Sequence, residues 1–300
     1  MKNIYRIETV NDYCKLHGIE TAHPLVSIID FSQLKSDYSN HTHFHYGVYA
    51  IFLKEYDCGE LRYGRNKYDY QEGSLVCVQP GQMVELIKPK NTNTRKGWAL
   101  LFHPDLILGT NLAKQINDYT FFSYAINEAL HTSEQERKMI LELFSKIQHE
   151  VHRPIDKYSR KLIVDNIQLF LDYCMRFYDR QFITREHLNQ GVLEKFEAEL
   201  HNYFKTEKPL LIGLPSVAYF ADALHLSANY FGDLIKKETG KTAQEYIQFQ
   251  LMNMAKNKVL DHSKTLSEVA YELGFKYPQH FTRMFKKNVG MSPSDYRNAN

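Results

Sequence analysis

Residues Ser267-Glu268-Val269-Ala270-Tyr271-Glu272-Leu273-Gly274-Phe275, continued by Phe281-x-Arg283-x-Phe285-Lys286-Lys287-x-x-Gly290-x-Ser292-Pro293-x-x-Tyr296-Arg297, read as two short helices joined by a tight turn. The first helix places the small residue Ala270 where another helix must approach closely. In the second, Phe281, Met284 and Phe285 share one side, which leaves Gln279, Thr282, Arg283 and Lys286 on the other. A helix divided in this way can bury one face and offer the other to a major groove. A single helical hairpin would be weak evidence.

The pattern occurs twice. Ser216-Val217-Ala218-Tyr219-Phe220-Ala221-Asp222-Ala223-Leu224-His225 matches Thr265-Leu266-Ser267-Glu268-Val269-Ala270-Tyr271-Glu272-Leu273-Gly274. Phe231-x-x-Leu234-Ile235-Lys236-Lys237-x-x-Gly240 then matches Phe281-x-x-Met284-Phe285-Lys286-Lys287-x-x-Gly290, and Tyr246 matches Tyr296. The offset is 49 from Ala221 to Ala270 and 50 from Phe231 to Phe281, so the second copy has one extra turn residue. A long helix is expected from about Ala243 to Leu260 between the copies. A matched pair with such a connector is a strong signal for two helix-turn-helix units.

The remainder of the chain bounds what surrounds this pair. At 300 residues it exceeds the roughly 100–200 of an ordinary domain, so two domains are expected. Its 43% hydrophobic and 24% charged content is that of a globular protein. There is no run of about 18 apolar residues to span a membrane, and the first residues lack a signal-peptide core. Cys14, Cys58, Cys77 and Cys174 show no paired spacing and read as reduced thiols, so a cytoplasmic location is expected. A net charge of +2 does not exclude a basic face. From Lys276 to Arg297 the chain has Lys276, Arg283, Lys286, Lys287 and Arg297 against Asp295 alone. From Ser227 to Tyr246 it has Lys236, Lys237 and Lys241 against Asp233, Glu238 and Glu245, so the later segment is the clearer electrostatic footprint.

Up to about Phe102 the chain reads as β, with apolar runs at 27–30, 47–53, 74–78, 83–87 and 98–102 separated by turns such as Glu72-Gly73 and Pro80-Gly81. That spacing suits a sandwich or small barrel. From Ser133-x-x-Glu136, a capping box, the period becomes helical through Met139, Ile140, Leu143, Phe144 and Ile147. A second helix is expected from about Asp156 to Tyr178. Its apolar stripe is widened by Val164, Leu169, Leu171 and Met175 beyond one packing face. Two readings stay open for it: burial within its own chain, or an added dimer contact. Asp179 to Gly191, of mixed charge with a glycine, is the expected linker.

From about Val192 to Arg297 the chain resembles the DNA-binding domain of AraC/XylS-type regulators, on the residues quoted first. The β region is more loosely similar to the cupin-like sensor domains that many members carry. The resemblance implies a seven-helix domain whose two recognition helices enter successive major-groove segments. It assigns the base-facing positions to Asn229, Gly232 and Asp233, and to Pro278, Gln279, Thr282 and Arg283. Arg283 can bond guanine bidentately, Gln279 can read adenine, and Thr282 can touch a base edge or thymine methyl. Pro278 suits the first turn of a helix. Gly232 has no side chain and costs roughly 1 kcal/mol of helix stability relative to alanine. Asp233 would repel phosphates unless it accepts from cytosine or is paired within the protein. His225 stands where the turn typically has glycine. Lys236, Lys237, Lys286 and Lys287 are the expected phosphate contacts, with the helix dipole as the plain alternative for each.

Two features of the β region could carry chemistry. His41-Thr42-His43-Phe44-His45 puts three imidazoles on one face of a strand, with His103 as a distant fourth ligand. The carboxylate that cupin metal sites need shortly after His45 is missing, since Glu55 lies at the far end of the next strand. No metal or other cofactor is therefore expected. Tyr46, Tyr49, Arg62, Tyr63 and Trp98 are the candidate effector-pocket residues, beside Tyr68, Tyr70 and Arg65; ordinary core packing would explain the aromatics equally. No nucleophile–base pair or phosphate loop stands out, and no enzyme activity is expected.

These readings combine into an α+β multidomain chain. A cupin-like sensor β-sandwich or barrel is expected over residues 1–125, a helical connector suited to dimerisation over 126–185, and an all-α double helix-turn-helix domain over 192–300. The expected function is a sequence-specific transcription regulator. Its partners would be double-stranded DNA, a second copy of the chain, a small-molecule effector and RNA polymerase. The alternatives are a metal-dependent cupin enzyme fused to a DNA-binding domain, or a regulator with no effector.

Overall fold

The computed structural model of the chain describes residues 4–34, 43–54, 61–63, 66–67, 73–86, 96–124, 128–184 and 186–299. Contacts divide the chain into two units, Met1–Thr184 and Arg185–Asn300. The boundary falls inside the expected linker, but that stretch is helical on both sides of Arg185.

The first unit has ten described strands: β1 (Ile4–Ile7), β2 (Val26–Asp30), β3 (His43–Tyr46), β4 (Tyr49–Lys54), β5 (Leu61–Tyr63), β6 (Asn66–Lys67), β7 (Ser74–Val78), β8 (Met83–Leu86), β9 (Gly97–Phe102) and β10 (Leu130–His131). They form two five-stranded sheets in the orders β1-β3-β8-β5-β6 and β10-β7-β4-β9-β2. Only β1 with β3 pairs parallel among the described strand pairs; the others are antiparallel. One apolar core lies between the sheets. Ile7, Phe44, Tyr46 and Val84 come from the first sheet, and Ile29, Ala50, Phe52, Val76, Val78, Ala99 and Leu101 from the second. Strand alternation turns the neighbours of these residues outward.

On the second sheet the outward residues are buried too: Ile51, Leu53, Leu75 and Leu100 have no exposed surface. Both faces of that sheet are covered, which explains why β4 reads as an unbroken apolar run rather than an alternating one. Its helices are α1 (Val10–Leu16), α2 (Pro104–Ile107), α3 (Asn111–Gln115), α4 (Glu134–His152) and α5 (Ser159–Thr184). α4 begins on the capping box read from Ser133 and Glu136, each side chain accepting from the other's backbone N–H. It packs on β2, and α5 packs on β10.

α5 starts later and ends later than its periodicity suggests. Asp156 Oδ1 accepts from the backbone N–H groups of Tyr158 and Ser159 at 2.8 and 2.9 Å, a turn that delays the helix. At the other end Gln181 is buried and does strand work. Its Oε1 accepts from the His131 N–H at 2.7 Å, and its Nε2 donates to the Ala129 carbonyl at 3.2 Å. Val164 and Leu171 are buried within the unit, whereas Leu162, Leu169 and Met175 stay exposed.

The second unit is all helical: α6 (Glu186–Lys205), α7 (Lys208–Ile212), α8 (Val217–Ala223), α9 (Ala228–Thr239), α10 (Ala243–Val259), α11 (Leu266–Glu272), α12 (Pro278–Val289) and α13 (Pro293–Ala299). That is one helix more than the expected seven, the short α7 included. Two small cores share α10. In the first, Phe196 meets Phe220 and Phe231 edge-on at 5.1 and 5.0 Å, with the Tyr246 ring of α10 at 5.7 Å. In the second, Leu251, Met252, Ala255 and Val259 of α10 pack with Val269, Ala270, Phe281 and Phe285. Continuous helix between the cores ties their positions together.

Candidate nucleic-acid interface

In the first helix-turn-helix unit each helix starts on a serine cap. Ser216 Oγ accepts from the Tyr219 N–H at 3.1 Å, and Ser227 Oγ from the Tyr230 N–H at 3.2 Å. Between α8 and α9 the chain turns through His225 at φ +59°, the only non-glycine with positive φ among the described residues. Gly240, at φ +69°, closes α9. Tyr230, Phe231, Leu234 and Ile235 are buried and hold α9 against the core.

The second unit repeats this scheme with stronger local signals. Thr265 and Glu268 form a reciprocal capping box at the start of α11. Gly274, φ +90°, makes the turn, Pro278 fills the first helical position of α12, and Gly290, also φ +90°, ends it. Phe281 and Phe285 are buried, with Met284 half-buried beside them.

Two outward faces result. On α9, Asn229, Lys236 and Lys237 are exposed and Gly232 and Asp233 half-buried. On α12, Gln279, Thr282, Arg283, Lys286 and Lys287 are exposed and Pro278 half-buried. The structure thus brings the predicted residues of each unit onto one helix surface. α12 contains no acidic residue, while α9 carries Asp233 and Glu238. Thr282 Oγ1 donates to the Pro278 carbonyl at 3.2 Å, so its methyl and hydroxyl lone pairs are what it can present outward.

Arg297 does not belong to this footprint. Its guanidinium donates to the carbonyls of Val259, Lys264 and Asp261, binding the end of α10 and the following loop. At the mouth of α12, Tyr277 and His280, which the sequence reading did not single out, lie exposed beside Lys276. Tyr277 is 49% exposed, its ring lies 5.4 Å from that of exposed His280, and the Lys276 ammonium sits 5.7 Å from the Tyr277 ring. A basic residue followed by an aromatic one just before the helix was the available signal.

Among the described residues, the candidate histidines and aromatics of the first unit do not share one site. His43 and His45 alternate with core residues Phe44 and Tyr46, so they face away from the sandwich interior. His43 Nε2 lies 3.7 Å from Glu85 Oε1, and His45 Nδ1 lies 3.9 Å from Glu8 Oε1. His103 instead caps α2, accepting from the Asp105 N–H at 3.2 Å. Of the proposed effector pocket, Tyr46 is inside the sandwich, 6.2 Å from Phe52. Tyr49 faces the opposite side of the second sheet, stacked 4.8 Å from Phe102 and edge-on to Phe122 at 5.1 Å, and burial raises its hydroxyl pKa. Trp98 shares that outer face. These three residues therefore line no common cavity. Arg62 and Tyr63 fall on β5, whose side chains, like His41, Glu55, Arg65, Tyr68 and Tyr70, lie outside the described residues.

Residues 220–299 match the family described as Helix-turn-helix domain. The uncharacterized HTH-type transcriptional regulator YobQ of Bacillus subtilis (strain 168) is 36% identical over 84 residues, 28% of this chain and 35% of that protein. The probable transcriptional regulator LumQ of Photobacterium leiognathi is 23% identical over 230 residues, 75% of this chain and 83% of that one. Among solved structures, the C-terminal domain of the two-component response regulator yesN from Fusobacterium nucleatum aligns over 36% of this chain and 98% of its own, at 23% identity and TM-score 0.32. The chain spans 35%, 41% and 12% of the first three curated relatives it matches. The C-terminal unit thus carries a helix-turn-helix domain of the kind found in transcriptional regulators.

Proposed function

We propose that the chain is a sequence-specific, DNA-binding transcription regulator of the AraC type, acting in the cytoplasm. One observation carries this reading. Equivalent positions of two helix-turn-helix copies present polar and basic outer faces, on helices whose inner faces share the connecting α10. α10 has 17 residues and is therefore roughly 25 Å long, compatible with helices entering major-groove segments one turn (about 34 Å) apart.

In this reading Pro278, Gln279, Thr282 and Arg283 supply most base readout. Asn229, Gly232 and Asp233 of the first unit contribute less, and Lys236, Lys237, Lys286 and Lys287 hold phosphates. The β-sandwich serves as a cupin-like sensor whose effector alters how the DNA-binding units are presented. The exposed Leu162, Leu169 and Met175 on α5 suit a contact with a second copy, and RNA polymerase is the expected downstream partner.

Selection of bound duplexes from random DNA by the full chain tests this. An enriched motif with two elements about ten base pairs apart is expected. Arg283→Ala should relax one position of one element by about 1–3 kcal/mol. Recovery of no preferred sequence would overturn the proposal. Loss of preference on Asn229→Ala, with Arg283→Ala silent, would reverse the roles of the two units.

A further inference from the structure

Four of the large apolar side chains left exposed in the second unit fall within five residues of chain. Leu210, Leu211, Ile212 and Leu214, in α7 and just after it, are 61%, 79%, 62% and 39% exposed. Three successive positions sweep about 200° of a helix, so Leu210, Leu211 and Ile212 cannot share an inner face. The segment is nevertheless held firmly. Pro209 is buried, the Gly213 carbonyl accepts from the Tyr203 hydroxyl at 2.9 Å, and Lys208 Nζ donates to the Tyr219 hydroxyl at 2.9 Å. Gly213 also lies against Gly274. A fixed apolar surface loses little conformational freedom when it is covered, and a patch of this kind marks a contact site.

The chemistry of the patch narrows what covers it. Leucine and isoleucine have no donor for a phosphate, so α7 is not a contact for the DNA backbone. The exposed charges just before it are Lys205 and Glu207, one of each sign. A strongly acidic or strongly basic partner would be repelled by one of them. A second copy turned by a twofold axis instead sets each lysine against the other's glutamate. The four apolar side chains offer roughly 400–500 Å² per copy, little more than half of the roughly 800 Å² per partner that a stable interface buries. Such a contact forms only where something else has brought the copies together at an effective concentration of about millimolar. Neighbouring sites on one duplex do that.

We propose that α7 is a twofold contact between the second units of two DNA-bound copies, with Leu210, Leu211 and Ile212 at its centre and Lys205–Glu207 pairs at its rim. This rests on the DNA-binding reading above. The contact couples occupancy of neighbouring sites, and its twofold symmetry requires those sites to be inverted repeats.

The full chain is titrated onto duplexes carrying one copy of the parent-selected sequence, or two copies in direct or inverted orientation with spacers spanning one helical turn. At one inverted spacing the second copy should bind about ten- to a hundredfold more tightly than the first. Leu211→Glu should abolish that gain and leave single-site affinity and melting temperature unchanged, since the side chain is exposed. Lys205→Glu and Glu207→Lys should each cut the gain about tenfold, and the double charge swap should restore it. Rescue of that kind requires a self-complementary contact. No gain at any inverted spacing, a gain that survives Leu211→Glu, or a charge swap that fails to rescue would each overturn the proposal. Single-site binding without coupling leaves the DNA-binding reading standing and removes only the α7 contact. A parent that selects no DNA removes both.

Discussion

A Cβ at Gly274 would lie 2.7 Å from both the carbonyl carbon and the carbonyl oxygen of Gly213. The turn of the second helix-turn-helix unit is therefore seated against the backbone that leaves α7. The Gly213 carbonyl is itself fixed, accepting from the Tyr203 hydroxyl at 2.9 Å. Gly274 also holds φ +90°, so conformation and space exclude a side chain together.

Gly274→Ala should consequently cost about 2–4 kcal/mol of stability in the second unit, from overpacking plus an unfavourable φ. Urea titration followed by the helical circular dichroism signal measures it. A loss under 0.5 kcal/mol would mean that the Gly213 segment moves aside freely.

His225 occupies the equivalent turn but is exposed, at φ +59°. His225→Gly should stabilise the unit by up to about 1 kcal/mol, because a left-handed non-glycine is relieved. The same titration should thus move in opposite directions at two matched positions.

Arg297 and the lysines of α12 differ in role although all are basic. Arg297→Ala should destabilise the unit by about 2 kcal/mol through loss of charge-assisted bonds to three carbonyls. It should leave the salt dependence of DNA binding unchanged. Lys286→Ala and Lys287→Ala should each lower the slope of log affinity against log salt by about 0.9 with little effect on folding. An equal slope change for Arg297→Ala would place it on the duplex after all.

Glu272 accepts from Lys258 Nζ at 2.7 Å and from Lys264 Nζ, joining α11 to α10 and its following loop. The Lys258 bond, then the Lys264 bond, hold its carboxyl below the ordinary glutamate value of 4.5. A depressed folded-state value stabilises the fold above the unfolded pKa, and that stability is lost as pH falls through the folded one. Urea midpoints should hold steady from neutrality to about pH 5 and drop below about 4.5. Glu272→Gln should start lower and show a shallower drop. The remaining drop in this unit includes Glu245 and Glu268, whose capping bonds to Thr242 and Thr265 also lower their pKa values, and Asp261, lowered by its bonds from Ser263.

In the first unit Gln181→Leu should cost about 3 kcal/mol, since two backbone groups of the β10 segment lose their partner in a buried place. Trp98, the only tryptophan, gives a fluorescence readout confined to that unit. A neutral substitution would show that the β10 edge finds other partners.

The helix-turn-helix pair was legible in the sequence because its determinants are local. Caps at Thr265 and Glu268, left-handed glycines at 274 and 290, and the spacing of Phe281 and Phe285 act within a turn or two of chain. Each outward face then follows by subtraction, which is why Gln279, Thr282 and Arg283 could be named in advance. Arg297 escaped this logic because its carbonyl partners lie more than thirty residues earlier.

Strands take their partners from far along the chain. The short β1, β5, β6 and β10 carry too few residues to declare themselves, and only the pairing of Leu130 with Leu75, or Ile4 with His43, makes them strands. Tyr46 and Tyr49 stand three residues apart and look alike, yet the chain changes sheets between them. One ring enters the sandwich and the other leaves it. By itself the sequence determined two helix-turn-helix units and the side chains they expose, because helical periodicity and capping are written within each segment. Tertiary structure alone decided which aromatics share a face, and that a single backbone carbonyl at Gly213 pins the turn at Gly274. Those outcomes depend on contacts between segments that no local pattern encodes.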